Sequence, residues 1–478
     1  MTAVWAAVAA LLLFLSALLI RGLLFRPAPD ARAEPEDVAV DEKAAAAHMR
    51  EMVRVKTVSY RDKALEDPAP FEAFPALLSR LYPAVHAACP YERIGDRGLL
   101  YLWKGKGCGA PGVLMAHYDV VPAEEKSWQR PPFEGVIEDG FVWGRGTLDT
   151  KGTLLGVMEA AEHLIKQGFV PENDLYFAFA GDEEIAGGGA PGIVAELSRR
   201  GVRPAFVLDE GGAVVEKVFP GVLRPCALVG VGEKGVLDVR FTAVSRGGHA
   251  SAPPPHTPVG VLARAVARVE GRPFPFTLTP PARAMFDTLG RHSTLLFRVI
   301  FANLWCFAPV LNLLCKRTGG ELNALVRTTC AFTQMRGGEA SNVLPPSAWV
   351  GANLRLVGGE TVESARARLE RVVDDRSVTV SVVQGHNPSA YSRTDGAPWE
   401  RLRRAIAETW PGAILSPYLM VAASDSRHYG EISERVYRFS AMALSGEERK
   451  MIHGHDERVP TEKLATTVRF YVRLMRMC

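Results

Sequence analysis

Three short segments carry side chains whose types and spacing could do chemistry together: His117-Tyr118-Asp119, Gly144-Arg145-Gly146-Thr147-Leu148-Asp149 and Gly181-Asp182-Glu183-Glu184. An imidazole with several carboxylates is a ligand set that suits a borderline-soft divalent cation, and adjacent glutamates can divide metal holding from proton transfer. A bridged two-metal centre needs one carboxylate spanning both ions, an imidazole and a carboxylate for each, and a water as nucleophile. Asp149 suits the bridge, His117 and Asp209 would complete one shell, and Glu184 and His453 the other. Asp119, two residues after His117, is placed to hold the second ring nitrogen and fix its tautomer. Glu183, beside a ligand but free, could take a proton from the water and pass it to a leaving amine. Taken singly, each residue also has an ordinary reading: His117 as a structural histidine, the glutamate pair as a solvated loop, Asp149 as a helix cap.

These side chains sit at the ends of successive apolar runs. Residues 112–116 deliver His117, residues 175–180 deliver Asp182, Glu183 and Glu184, and residues 205–208 deliver Asp209. Runs that are apolar throughout predict strands of a sheet covered on both faces, and such sheets bind ligands at the carboxyl ends of their strands. Helical spacing over residues 152–165 and 193–200 supplies covering helices between the strands. Upstream, helical spacing over residues 44–55 and 74–88 precedes a short strand at 99–103.

After Pro225 the pattern changes to alternation, as in Val236, Val239 and Phe241, followed by His249-Ala250-Ser251 and a helix over 259–269. A strand and helix at 349–356 and 361–373, then a strand at 378–383, predict a second, α+β domain with a small sheet. The α/β pattern resumes near residue 386, with a helix at 399–408, the turn Ser424-Asp425-Ser426-Arg427, a strand at 437–444, and Ile452-His453-Gly454-His455-Asp456-Glu457 before a final helix at 462–475. The expected division is a catalytic domain in two parts, 42–230 and 386–478, around an inserted domain at 231–385. That domain carries its own apolar insert at 273–329.

With 478 residues and 47% hydrophobic content, the chain is long enough for two cores. A net charge of only +3 makes no case for nucleic acid. Seven scattered cysteines, without Cys-x-x-Cys spacing, read mainly as small buried apolar residues. Residues 3–20 are almost uninterrupted apolar sequence followed by Arg21 and Arg26. Two readings stand: a retained membrane anchor in residues 1–26, with 27–41 as linker, or a signal cleaved near Ala31-Arg32-Ala33, which would leave the protein secreted or periplasmic. A second apolar stretch, 295–314, contains Arg298, Asn303, Pro309 and Asn312 and is expected to be a soluble hydrophobic element rather than a span.

The segments MAHYDVVP, GRGTLDTKG, FAGDEE, VLDEGG, SRGGHASAPP, SNVLPP, ANLRL and IHGHDE occur in this order. Together they resemble the co-catalytic zinc exopeptidases and deacylases that include aminoacylase, succinyl-diaminopimelate desuccinylase and acetylornithine deacetylase. The apolar insert and the RTTCAFT segment at 327–333 are most similar to the subgroup of carboxypeptidase S and the N-fatty-acyl-amino acid synthase/hydrolases. The resemblance implies a zinc-exopeptidase α/β catalytic domain with a mixed central sheet covered by helices, plus an inserted α+β lid that serves dimerisation. It also implies two zinc ions per subunit on His117, Asp149, Glu184, Asp209 and His453, with Glu183 as base and acid. In such a family His249 would reach a neighbouring active site to stabilise the oxyanion, while Asn342 and Arg355 would bind the substrate's carboxylate. Asp425 and Arg427 match a turn near the site, without a defined role. His455 and Glu210 stand beside expected ligands, and Thr150 departs from the acidic or small residue common in relatives.

The expected activity is therefore cleavage, with reversible formation open, of the amide joining an acyl group to an amino acid with a free carboxylate. Carboxypeptidase action on short peptides is the alternative within the class. A catalytically silent binding or scaffold protein on the same fold is the alternative outside it.

Overall fold

The computed structural model describes residues 1–28 and 36–478, so the Ala31-Arg32-Ala33 segment lies outside the described residues. Eight strands form the large sheet, in the spatial order Tyr91–Ile94, Gly98–Trp103, Leu175–Ala180, Gly112–His117, Phe206–Val215, Val436–Leu444, Cys226–Glu233 and Ile414–Met420. Gly112–His117 runs parallel to both neighbours, whereas Gly98–Trp103 joins Leu175–Ala180 antiparallel, so the sheet is mixed. Gly112–His117 and Leu175–Ala180 are buried at every position, as their continuous apolar sequence requires. The helix Lys151–Lys166 and the C-terminal helix Thr461–Arg476 pack on one another on one side, and Gly189–Arg199 lies on the other face with Val113, Met115 and Tyr176.

Phe206–Val215 is longer than its apolar run suggested, and Asp209 lies inside it rather than at its end. Its pairing with Val436–Leu444 slips between Arg438 and Phe439, whose partners are Asp209 and Gly212, so that Glu210 and Gly211 are passed over. Gly211 has φ +134°, and a Cβ there would lie 2.7 Å from the Met420 sulfur, so glycine alone suits this irregularity.

A separate antiparallel sheet, ordered Thr329–Arg336, Ser347–Leu356, Gly235–Val244 and Val378–His386, has its own core under the helices Pro258–Gly271 and Val362–Val373. Gly235–Val244 alternates buried and less buried residues along its length, the signature of a sheet covered on one face. The sheets join at Glu233 and Lys234: Cys226–Glu233 belongs to the large sheet and Gly235–Val244 to the small one.

The insert packs differently from its place in sequence. Met285, Phe286, Leu289, Phe301, Cys315 and Leu325 join the core of the large sheet rather than that of the small one. Its apolar stretch forms two helices, Leu295–Ala302 and Leu304–Thr318, bent by 106° at Asn303. All seven cysteines are free; four are buried and Cys108 is exposed.

At the sheet junction Glu233 and Arg438, each about 1% exposed, pair at 2.5 Å. Glu233 also accepts from the Ser424 backbone N–H at 2.9 Å and from the hydroxyls of Ser424 and Ser426 at 3.0 and 3.1 Å. Removing one partner strands the other charge in the interior. Glu233→Ala is therefore expected to lower unfolding free energy by about 3–5 kcal/mol, with the E233M/R438M double variant losing less, as measured by chemical denaturation.

Candidate metal centre

His117 closes its strand with a buried imidazole, and Asp119 fixes that ring from two sides. Nδ1 lies 3.0 Å from the Asp119 carbonyl, to which it can donate, and 3.2 Å from its carboxylate. The same carboxylate accepts from the Ser59 hydroxyl at 2.7 Å and from the backbone N–H groups of Glu183 and Glu184 at 3.1 and 3.2 Å. One side chain thus sets both the histidine and the glutamate pair from the next strand. Asp182 turns away from them and accepts from the Gly189 backbone at the start of a helix.

Asp149 lies between two imidazoles. Its Oδ1 is 3.0 Å from His117 Nε2, and its Oδ2 is 3.1 Å from His453 Nε2. His453 Nε2 is also 3.1 Å from the Glu184 carboxylate. The peptide bond following Asp149 is cis. Glu457 supports the bridge from below, accepting from the Leu148 backbone at 2.8 Å and the Asp149 backbone at 3.3 Å while pairing with Arg145 at 2.7 Å. His453 has φ +59°, unusual for a residue with a side chain, and its loop is tied by Arg145 to the Gly454 carbonyl at 2.8 Å and by the Gln129 N–H to Asp456 at 2.7 Å.

Glu210, rather than the expected Asp209, meets His117, with Oε1 3.3 Å from Nε2. Adjacent residues on a strand face opposite sides, so only one of the pair can reach the cluster. Asp209 instead accepts from the Ser426 backbone at 3.1 Å. Strand parity is the signal that could have separated the two, but it needs the register with Gly112–His117. Two groups of possible ligands result, His117 with Asp149 and Glu184, and His117 with Glu183 and Glu210.

The cluster is rich in negative charge. Burial pushes the Glu183 carboxyl well above the usual range; nearby Asp425, Glu210 and Glu184 add to this, against the pull of His117. Burial, with Asp149 beside it, pushes Glu210 up to about 8. Hydrogen bonds to Asp149 and Glu184 raise His453 to about 10 against the effect of burial. Both carboxylate oxygens of Asp425 are buried without a hydrogen-bond partner. Crowded acidic groups, two imidazoles aimed at one carboxylate and an unsatisfied aspartate form a donor set that fits divalent cations.

The remaining expected residues lie elsewhere. His249 is exposed in a two-stranded ribbon, where it pairs with Val343 and shares its Nδ1 with the Ser251 hydroxyl at 2.7 Å. The Asn342 carbonyl accepts from the Ala250 N–H at 2.9 Å, so His249 and Asn342 are neighbours. Arg355, half-buried on Ser347–Leu356, donates to Asn353 at 3.3 Å. It belongs to a cationic group at the sheet junction. Burial, with Arg355 adding, brings Lys234 down to about 7, and burial with Arg427 and His386 brings His428 down to about 4.

Comparison with known proteins identifies the family. Residues 113–477 match the family described as Peptidase family M20/M25/M40. The chain is 36% identical over 430 residues to an N-fatty-acyl-amino acid synthase/hydrolase of Xenopus tropicalis, covering 89% of this chain and 84% of the relative. It is 35% identical to a probable carboxypeptidase S-like protein of Dictyostelium discoideum, covering 88% and 82%. Its fold is similar to that of an M20 family metallo-carboxypeptidase from Sulfolobus solfataricus, with a TM-score of 0.66 at 15% identity over 92% of this chain and 99% of that one. The chain belongs to Peptidase family M20/M25/M40 and is a metal-dependent hydrolase of amide bonds.

The Glu210 geometry has a direct test. Glu210→Gln is expected to weaken metal binding by at least about 10-fold, by analogy with the cost of disturbing a metal site. Asp209→Asn should have the smaller effect; elemental analysis and calorimetric titration of the metal-free protein would measure both.

Proposed function

We propose that this protein is a two-zinc amidohydrolase acting on N-acyl amino acids that carry a free carboxylate. The observation that carries the reading is Asp149, with one oxygen facing each of two imidazoles beside the buried Glu183. Asp149 would bridge the ions, His117 with Glu210 would hold one, and His453 with Glu184 the other. Bound zinc would supply the Lewis acidity that makes water an effective nucleophile at neutral pH. Glu183 removes the proton from the attacking water and delivers it to the leaving amine, a role suited to a carboxyl raised by burial. Asp119 keeps the His117 ring in one tautomer.

The region around the small sheet would form the lid. Its His249 would donate to the developing oxyanion, and Arg355, with Asn342, would receive the substrate carboxylate. Lid movement is part of this reading, since His249 contacts its own ribbon. The outer strands Thr329–Arg336 and Val378–His386 leave sheet edges that support dimerisation through the lid. The name of the Xenopus relative and the apolar insert favour a fatty acyl group. The names of the Dictyostelium relative and the Sulfolobus structure support the second reading, carboxypeptidase action on short peptides.

The N-terminal helix Thr2–Leu24 would anchor the protein in a membrane. Its 23 residues extend about 35 Å, enough for a hydrocarbon core of about 30 Å. Retention is favoured over cleavage because the folded body uses the helix: Arg21 Nε donates to Asn303 Oδ1 at 2.9 Å.

Glu183→Gln is expected to lower kcat by about 10²–10⁴-fold while metal content stays unchanged. Across a series of N-acyl amino acids, each methylene buried by the enzyme should improve kcat/KM by about fourfold, the equivalent of about 0.8 kcal/mol. Faster turnover of dipeptides without this dependence would favour the carboxypeptidase reading. Mixing E183Q and H249A subunits should restore activity if the lid histidine acts across a dimer; mixed dimers without recovery would refute that arrangement.

A further inference from the structure

The two helices of the apolar insert do not fold away into the protein. Leu296 is 69% exposed and Trp305 65%, and Val310, Leu313 and Leu314 are each at least half exposed. This surface is continuous with the N-terminal helix. A Cβ on Gly22 would lie 2.4 Å from Val299, so the N-terminal helix and Leu295–Ala302 meet at a contact only glycine permits. Further along, Phe14 and Trp305 meet edge to face with ring centroids 6.2 Å apart.

Polar groups at this junction are turned inward. Asn303, fully buried at the bend, donates to the carbonyls of Leu18 at 3.1 Å and Val299 at 2.7 Å while accepting from Arg21. Asn312 accepts from buried Arg327 at 2.6 Å. A break in a helix is tolerated at membrane depth where neighbouring protein satisfies its freed groups. Lys316 and Arg317 end the second helix, where basic side chains can reach headgroups.

We propose that Leu295–Ala302 and Leu304–Thr318 form a re-entrant wedge that enters one leaflet of the bilayer beside the anchor, with lipid acyl chains as the partner of its exposed face. This rests on the anchor reading above. Arg21 marks the headgroup end of the anchor, and Phe14 lies seven residues further into it, a distance of about 10 Å along the axis. Trp305, packed against Phe14, must then share that depth. Two broken helices too short to cross become a monotopic element when their polar bend is closed by Asn303 and Arg21.

The full chain, reconstituted into phosphatidylcholine vesicles with brominated acyl chains, tests this by tryptophan quenching. Subtracting the emission of W5F and of W305F from that of the parent isolates Trp5 in the anchor and Trp305 in the wedge. Both components should be quenched by bromine, the Trp305 component should resist aqueous iodide, and L313W in the W305F background should introduce another bromine-quenched component. Bromine quenching of Trp5 without quenching of Trp305 or of the indole added by L313W overturns the wedge and leaves the anchor standing. An unquenched Trp5 refutes the anchor, and the wedge with it. A Trp305 component shielded from both quenchers overturns the lipid partner in favour of a second copy of the chain.

Discussion

One carboxylate, that of Asp149, has to offer an oxygen to each of two imidazoles brought from distant parts of the chain. The surrounding structure is arranged around this placement. Glu457 receives the backbone N–H groups before and at Asp149, Arg145 neutralises Glu457, and Asp119 holds His117 and the backbone of the glutamate pair. Such groups cost little only when each finds its partner, because interior carboxylates are strongly penalised when left alone. A cation at the centre would relieve the remaining excess, which couples occupancy of the site to its stability.

Much of the fold around the cluster was legible because the elements that carry it have simple patterns. Residues 112–116 and 175–180 are apolar throughout, so their strands and the side chains clustered at their ends could be read directly. The alternation in Gly235–Val244 likewise announced a sheet with one covered face. Asp209 and Glu210 could not be separated in this way: two acidic neighbours on one strand are equivalent in composition, and register alone decides which faces His117. The expected end of that strand also failed because Gly211 lets the chain continue through an irregular pairing.

Other features depended on contacts between segments far apart in sequence. Arg298, Asn303, Pro309 and Asn312 led to the expectation of a soluble hydrophobic element, whereas the stretch forms an apolar helix pair bent by 106° at Asn303. Their polarity alone could not reveal that Asn303 pairs with Arg21 or that Asn312 pairs with Arg327. Similarly, sequence order placed the insert within the second domain, whereas its buried phenylalanines serve the first core. The junction formed by Glu233, Lys234 and Arg438 joins the two sheets through groups whose partners are invisible to local periodicity.

The chain distance between the parts of the cluster also orders its assembly in time. His453 and Glu184 are separated by 269 residues, and Glu457 and Leu148 by 309. Closing a flexible loop of that length costs about 5 kcal/mol on the logarithmic scaling of chain entropy. During synthesis His453 emerges only after the strands of both sheets have been made. Topology thus makes the pairing of His453 with Glu184 and Asp149 one of the last contacts of the cluster that a growing chain can form.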